Sequence, residues 1–394
     1  FSYIAIINVG ILVIAFKKYW KTLQYASFGL TWLIYIAWSL TQYQRADHFE
    51  LALVFLVLFF IIFYISFLAY KLIQKEKFEW TDVFLLLMNS FVFYSIGFLI
   101  LNNHEKGSQL LGLFTLGNAI VHFVISVIVY KQKLADRNLF YLASGLVLVF
   151  ITIAFPVQLD GNWVTLLWAG EATLLFWIGR TKKVAFYEKL SFPLMILAFL
   201  SLGHDWLTVY DNYSTEDVET RIRPLLNINF LTSLLFIIGF GFLNYLNNSK
   251  KYQVSVFRLR WLSKFVIYAI PAMLIITIYI AFRLEIANYW NQLYTDSFLS
   301  IIPEGERYTS YYWNSDLKQF KTIWIINYSL LFVSILAFVT HKKLKIQRLG
   351  IVSLCLAIIV IDVFLIQGLY VLSELRESYQ NQPMSTDYTR GSFN

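Results

Sequence analysis

Of the 394 residues, 58% are hydrophobic and only 14% charged, whereas soluble domains carry roughly a quarter charged residues. That balance excludes an ordinary soluble globule. The net charge of +8 does not read as nucleic-acid binding, because the basic residues fall in short turns between apolar runs.

At about 1.5 Å per helical residue, a hydrocarbon layer of roughly 30 Å needs runs of about twenty residues. Such runs fall at 1–16, 23–41, 49–71, 80–101, 110–130, 138–155, 162–179, 185–202, 225–246, 259–282, 321–340 and 349–372. The first run is short and begins without methionine, which predicts a segment upstream of Phe1. The lengths, and the lack of alternating polarity, argue against a β-barrel. The expected fold is an all-α polytopic membrane protein, a bundle of about 12 transmembrane helices built from helical hairpins, with no β domain. The transmembrane domain covers 1–372, and 373–394 reads as a polar non-cytoplasmic tail or linker.

Lysine and arginine orient the bundle, since short basic loops stay on the cytoplasmic side. Alternate connections hold 22 of the 32 basic residues, from Lys17, Lys18 and Lys21 through Arg180, Lys182 and Lys183 to Lys342, Lys343, Lys345 and Arg348. Both ends are therefore expected outside the cytoplasm. Basic turns followed by apolar helices recur, as in KKYWKTLQYASFGL and KKLKIQRLGIVSLCLA; duplication explains this, and so does the shared pattern of short basic turns.

Two connections are long, 203–224 and 283–320, and both are assigned to the outer face. The first is acidic and carries His204, Asp205 and Asp211. The second carries Tyr289, Trp290 and Trp313 among other aromatics. Such a set suits stacking on a sugar or a partner protein, and equally an interfacial aromatic belt.

Within the spans, Glu171 stands near the middle of NWVTLLWAGEATLLFWIGR. A charge at that depth costs a few kcal/mol, roughly 2.5–3.5 on insertion scales, so it should face protein or water and hold a partner. It is either a titrating site in a transport cycle or a structural clamp, for which the small neighbours Ala169, Gly170 and Ala172 leave room. Asn118 and His122, four apart, share a helix face, and His122 is a candidate partner for Glu171. Asp362 lies in the outer part of its span.

Catalytic signatures are scarce. No phosphate loop, zinc-helix motif or nucleophile elbow occurs, and the lone Cys355 excludes a disulfide framework. No cofactor or metal is expected. A metal or base role for His204 and Asp205, and an outer-face transferase using Asp47 and Glu50 or Asp205 and Asp211, are the enzymatic alternatives.

The run Trp168-Ala169-x-Glu171, then Leu174-Leu175, then Trp177-x-Gly179 is similar to a motif of a bacterial family of predicted membrane proteins, domain of unknown function 2339. The opening pair of spans around Trp20, and RPLLNINFLT at 223–232, resemble that family too; Gly170 departs from it, where a bulkier aliphatic residue is expected. The resemblance implies architecture and a bacterial inner-membrane setting, not a reaction. Three functions follow as expectations. The first is a non-enzymatic transporter-like or envelope-assembly component handling a hydrophobic or lipid-linked substrate around Glu171. The second is a structural subunit docking an envelope protein partner through its aromatic loops. The third is a transferase acting on lipid-linked sugars.

Overall fold

The computed structural model describes the chain except residues 17–19, 75–79, 132–136, 211–212, 216, 218–219, 253–259, 302–309, 345–346 and 382–394. Several residues of the basic turns, including Lys17, Lys18, Lys75, Lys77, Lys133, Arg258 and Lys345, lie outside the described residues, as does Asp211.

Each apolar run folds as helix. In order these are α1 (Ser2–Ala15), α2 (Lys21–Thr41), α3 (Arg45–Gln74), α4 (Trp80–Asn102), the single turn α5 (Glu105–Ser108), α6 (Leu111–Lys131), α7 (Arg137–Gln158), α8 (Asn162–Lys182), α9 (Ala185–Val209), α10 (Ile228–Asn248), α11 (Arg260–Asp296), α12 (Asp316–Val339), α13 (Gln347–Val363) and α14 (Leu369–Asn381). A π-helical turn, Phe364–Gly368, joins the last two. Among the described residues, eight segments are long and apolar enough to cross a membrane: α3, α4, α6, α9, α10, α11, α12 and the stretch from Leu349 to Asn381. Residues of one short antiparallel ribbon, β1 (Leu299–Ile301) and β2 (Ser310–Tyr312), pair Leu299 with Tyr312 and Ile301 with Ser310.

Three boundaries differ from the sequence expectation. Helix α9 runs seven residues past 202, so His204 and Asp205 are helical rather than loop residues. Helix α11 runs on to Asp296, which makes Tyr289 and Trp290 helical too. The helix after the π turn continues to Asn381, into the segment expected to be a polar tail. In α11 the cause is visible: Ala281, Glu285, Asn288 and Gln292 form a buried stripe at helical spacing, and three of the four are polar. Hydropathy falls while the buried face continues.

The chain divides into two compact units, 1–160 and 161–394. In the first, aromatic rings fill the interior. Phe1 packs on Tyr35, Trp38, Phe55 and Phe59 at centroid distances of 4.9–6.2 Å. Such pairs add about 0.5–1.5 kcal/mol each beyond area burial. Trp32 Nε1 donates to Asn89 Oδ1 at 3.1 Å, and Asn89 Nδ2 donates to Phe60 O at 3.1 Å. In the second unit α8 and α9 form a hairpin around Lys183, which takes the left-handed conformation at φ 58°, and α10 packs on α8.

Candidate functional site

Helix α8 carries two stripes. Thr165, Ala169, Ala172, Phe176 and Gly179 are spaced three or four apart and all buried, so they are the face turned to neighbouring helices. Gly170, Thr173, Leu174 and Trp177 form the other, and with Leu166, Ala169 at the boundary of the two stripes, Leu235, Ile238, Gly239 and Phe242 they line an open apolar groove of about 430 Å³ between α8 and α10. A Cβ at Gly170 would meet nothing within 4 Å, whereas one at Gly239 would approach Thr173 Oγ1 to 3.3 Å. Glu171, next to the groove in sequence, is half-buried and partnered rather than free. Within the motif, then, Ala169 and Gly179 pack inward, Trp168 is half-buried and Trp177 is exposed.

The groove lies between two polar junctions. At the end where α8 meets the basic turn, Arg180 Nε pairs with Glu188 Oε1 at 2.7 Å, with both residues buried. The guanidinium also donates to Asn247 Oδ1 at 3.1 Å and Tyr252 O at 3.2 Å, and its carbon sits 4.9 Å from the Phe176 ring centre. Gly179 makes the approach possible, because a Cβ there would lie 2.7 Å from Glu188 N. Sequence reasoning assigned Arg180 to a wet cytoplasmic turn and passed over Glu188. The available signal was an acid six residues beyond the last residue of α8, in the first turn of α9 just after the basic Lys182 and Lys183.

At the other end, Thr165 Oγ1 donates to Asp205 Oδ2 at 2.7 Å and lies 2.7 Å from Ser201 Oγ. Asn162 Nδ2 donates to Asn229 Oδ1 at 2.6 Å, and Trp206 Nε1 donates to Ser233 Oγ at 3.0 Å. Asp205 is thus buried and bonded, while His204 beside it is exposed. Near this end the buried carboxylate of Glu285, unremarked in the sequence, accepts from Tyr210 Oη at 2.6 Å, Asn227 Nδ2 at 2.8 Å and Leu225 N at 2.7 Å. Tyr210, just beyond α9, has its phenol pKa raised, first by burial and then by its bond to Glu285. Tyr213 is raised too, chiefly by its hydrogen bond to Asp296.

The remaining candidates are dispersed. His122 and Asn118 share a buried face in the first unit, where His122 Nδ1 lies 2.7 Å from Tyr64 Oη and the ring stacks on Phe150; Glu171 belongs to the second. Asn118 Nδ2 donates to Phe114 O at 3.0 Å. Asp362 is exposed on α13 amid exposed Ile358, Ile359, Ile361 and Ile366. Trp290 is buried against Phe320 at 5.5 Å, Tyr289 is partly open, and exposed Trp313 packs on Phe298 at 5.1 Å. Asp47 and Glu50 are exposed at the start of α3. Among the described residues no three His, Cys, Asp or Glu side chains converge as a metal site would require.

Helices of this length and apolarity, each closing its backbone hydrogen bonds within itself, define a polytopic helical membrane protein. A family model described as "Predicted membrane protein (DUF2339)" matches residues 1–203, including the whole of the α8 motif, and the chain belongs to that family. No curated protein and no solved structure matches the chain.

Proposed function

We propose that the chain is a non-enzymatic, transporter-like or assembly component of the bacterial inner membrane that holds the hydrocarbon part of a hydrophobic or lipid-linked substrate in the groove between α8 and α10. In this reading the bundle has about 12 spans and both ends face away from the cytoplasm. The observation that carries it is the groove: every lining side chain but Thr173 is apolar or glycine, and it is open along the stretch of α8 that carries Glu171. At that depth the surrounding medium is lipid chains, so an apolar groove is filled by one. The buried junctions at either end act as fixed posts, and between them Thr173 is the polar side chain of the lining, with Glu171 next to Gly170 in sequence.

The test uses a photoreactive residue at Leu235 or Ile238 with a lipid carrying a labelled acyl chain. Labelling should exceed that at the exposed control Leu207 and fall when Gly170→Phe fills the groove. Equal labelling at all three positions, unchanged by Gly170→Phe, would sink the reading. A second reading, a subunit docked on another membrane protein, is favoured by Asp362: a carboxylate exposed on an apolar helix is costly against lipid and is relieved by a partner.

A further inference from the structure

Beyond the groove, the segment Arg221 to Ile228 forms a small water-facing cleft with α11. Arg221, Ile222, Arg223, Pro224, Tyr289, Gln292 and Leu293 line it, enclosing about 120 Å³. We propose that this cleft binds the phosphate group of a lipid in the adjoining leaflet.

Charge comes first. Arg221 Nη2 pairs with Asp296 Oδ2 at 3.2 Å, a bond open to water, while Arg223 is exposed and makes no ion pair among the described residues. Asp296 is taken up by Arg221, and Glu285 by Tyr210, Asn227 and Leu225 N, so Arg223 keeps its guanidinium fork for an incoming anion, and such forks match phosphate oxygens. These arginines are also among the few basic residues away from the basic turns.

Depth comes second. Lys264 and Arg283 bracket an uncharged stretch of the sequence, 265–282, about 27 Å long as helix and close to a hydrocarbon layer of roughly 30 Å. Glu285 then lies at its edge, and Tyr289, Gln292 and Leu293 lie about 6–12 Å further along the helix axis, among the headgroups. Leu226 is 82% exposed and Leu225 and Ile228 each 51%, directly after the arginines in sequence. Apolar side chains toward lipid beside arginines at headgroup level form an interfacial lipid site.

Third, the backbone is held ready. Gln292 Nε2 donates to Ile222 O at 2.9 Å, Asn227 Nδ2 donates to Arg223 O at 3.1 Å, and Leu225 N donates to Glu285 Oε2 at 2.7 Å. Leu225 is fixed at φ 61°, a left-handed conformation uncommon for leucine. A segment ordered in advance loses less entropy on binding.

The site is separate from the groove, and so is its test. The full chain in neutral detergent is equilibrated with dioleoyl phosphatidic acid or with dioleoylglycerol, which has the same chains and no phosphate, and retention is read by native mass spectrometry. Phosphatidic acid should be retained at least about tenfold better, and Arg221→Gln with Arg223→Gln should remove about that factor, as the loss of charge-assisted bonds requires. Lys182→Gln, an exposed cation at the basic-turn end of α8, should change nothing. Arg223→Glu alone, with helicity checked by circular dichroism, repeats the loss without touching the Asp296 pair. Displacement by inorganic phosphate assigns the site to free phosphate chemistry, and retention in its presence to the lipid headgroup. Equal retention of dioleoylglycerol, or retention unchanged in the arginine variants, overturns the proposal.

Discussion

Replacing Arg180 by methionine removes the cation from a carboxylate that is 0% exposed, while Arg180 itself is only 8% exposed. Breaking a buried pair from one side costs about 3–5 kcal/mol, because the remaining charge stays desolvated without compensation. Here the loss belongs at the upper end: the guanidinium also serves Asn247 Oδ1 and Tyr252 O and covers the Phe176 ring, and all of these go with it. Replacing both partners by apolar residues of similar volume should recover most of the loss, since well-packed hydrophobic substitutes for buried pairs are often neutral or better. The orphaned carbonyl groups of Asn247 and Tyr252 keep the recovery incomplete, by about 1–3 kcal/mol each if no water reaches them. The assay is denaturant unfolding in detergent, followed by circular dichroism, for Arg180→Met, Glu188→Leu and the double variant. Single variants that lose less than about 1 kcal/mol would mean the pair is wet. A double variant no better than Arg180→Met would mean that packing around the arginine, not the stranded charge, carries the loss.

Opposite signs are expected at two glycines of α8. Gly179→Ala drives a methyl into the Glu188 backbone and should cost about 1–3 kcal/mol, whereas Gly170→Ala, in open space, should stabilise by about 0.5–1 kcal/mol through helix propensity; thermal unfolding of the pair reads the contrast. Asn227→Ala removes the cap that accepts from Phe230 N at 2.7 Å and a donor to Glu285, so a loss of about 1–3 kcal/mol is expected by the same measurement. The raised phenol of Tyr210 contributes stability that is complete below the ordinary tyrosine pKa of about 10 and is lost as pH climbs through the higher folded value. Unfolding followed between about pH 9 and pH 12 should therefore decline more steeply in the wild type than in Tyr210→Phe, and parallel profiles would refute the assignment.

The apolar runs were legible as helix, although only eight of the described segments are long and apolar enough to cross a membrane, because mean hydropathy over about twenty residues reports burial in lipid or protein alike. What hydropathy does not report is a polar face turned inward. Glu285, Asn288 and Gln292 look like the start of a loop in the sequence and form the buried side of α11. Arg180 looked like a topology marker and is the centre of a buried junction. The ribbon of Leu299–Ile301 and Ser310–Tyr312 was missed because three residues per strand carry too little alternation to detect. The motif through Glu171 was legible as a motif, and its parts divide by physics: Ala169 and Gly179 are small where helices touch, while Trp177 borders the groove. The aromatic candidates divide likewise, Trp290 serving packing and Tyr289 the arginine cleft. A single sequence places ionisable residues at a depth but not on a side, and side decides whether a carboxylate clamps, titrates or meets a partner. Asp205 shows the consequence most directly. Read from the chain it was a wet loop acid open to catalysis; one further turn of α9 carries it under Thr165, where its hydroxyl partner holds helix to helix.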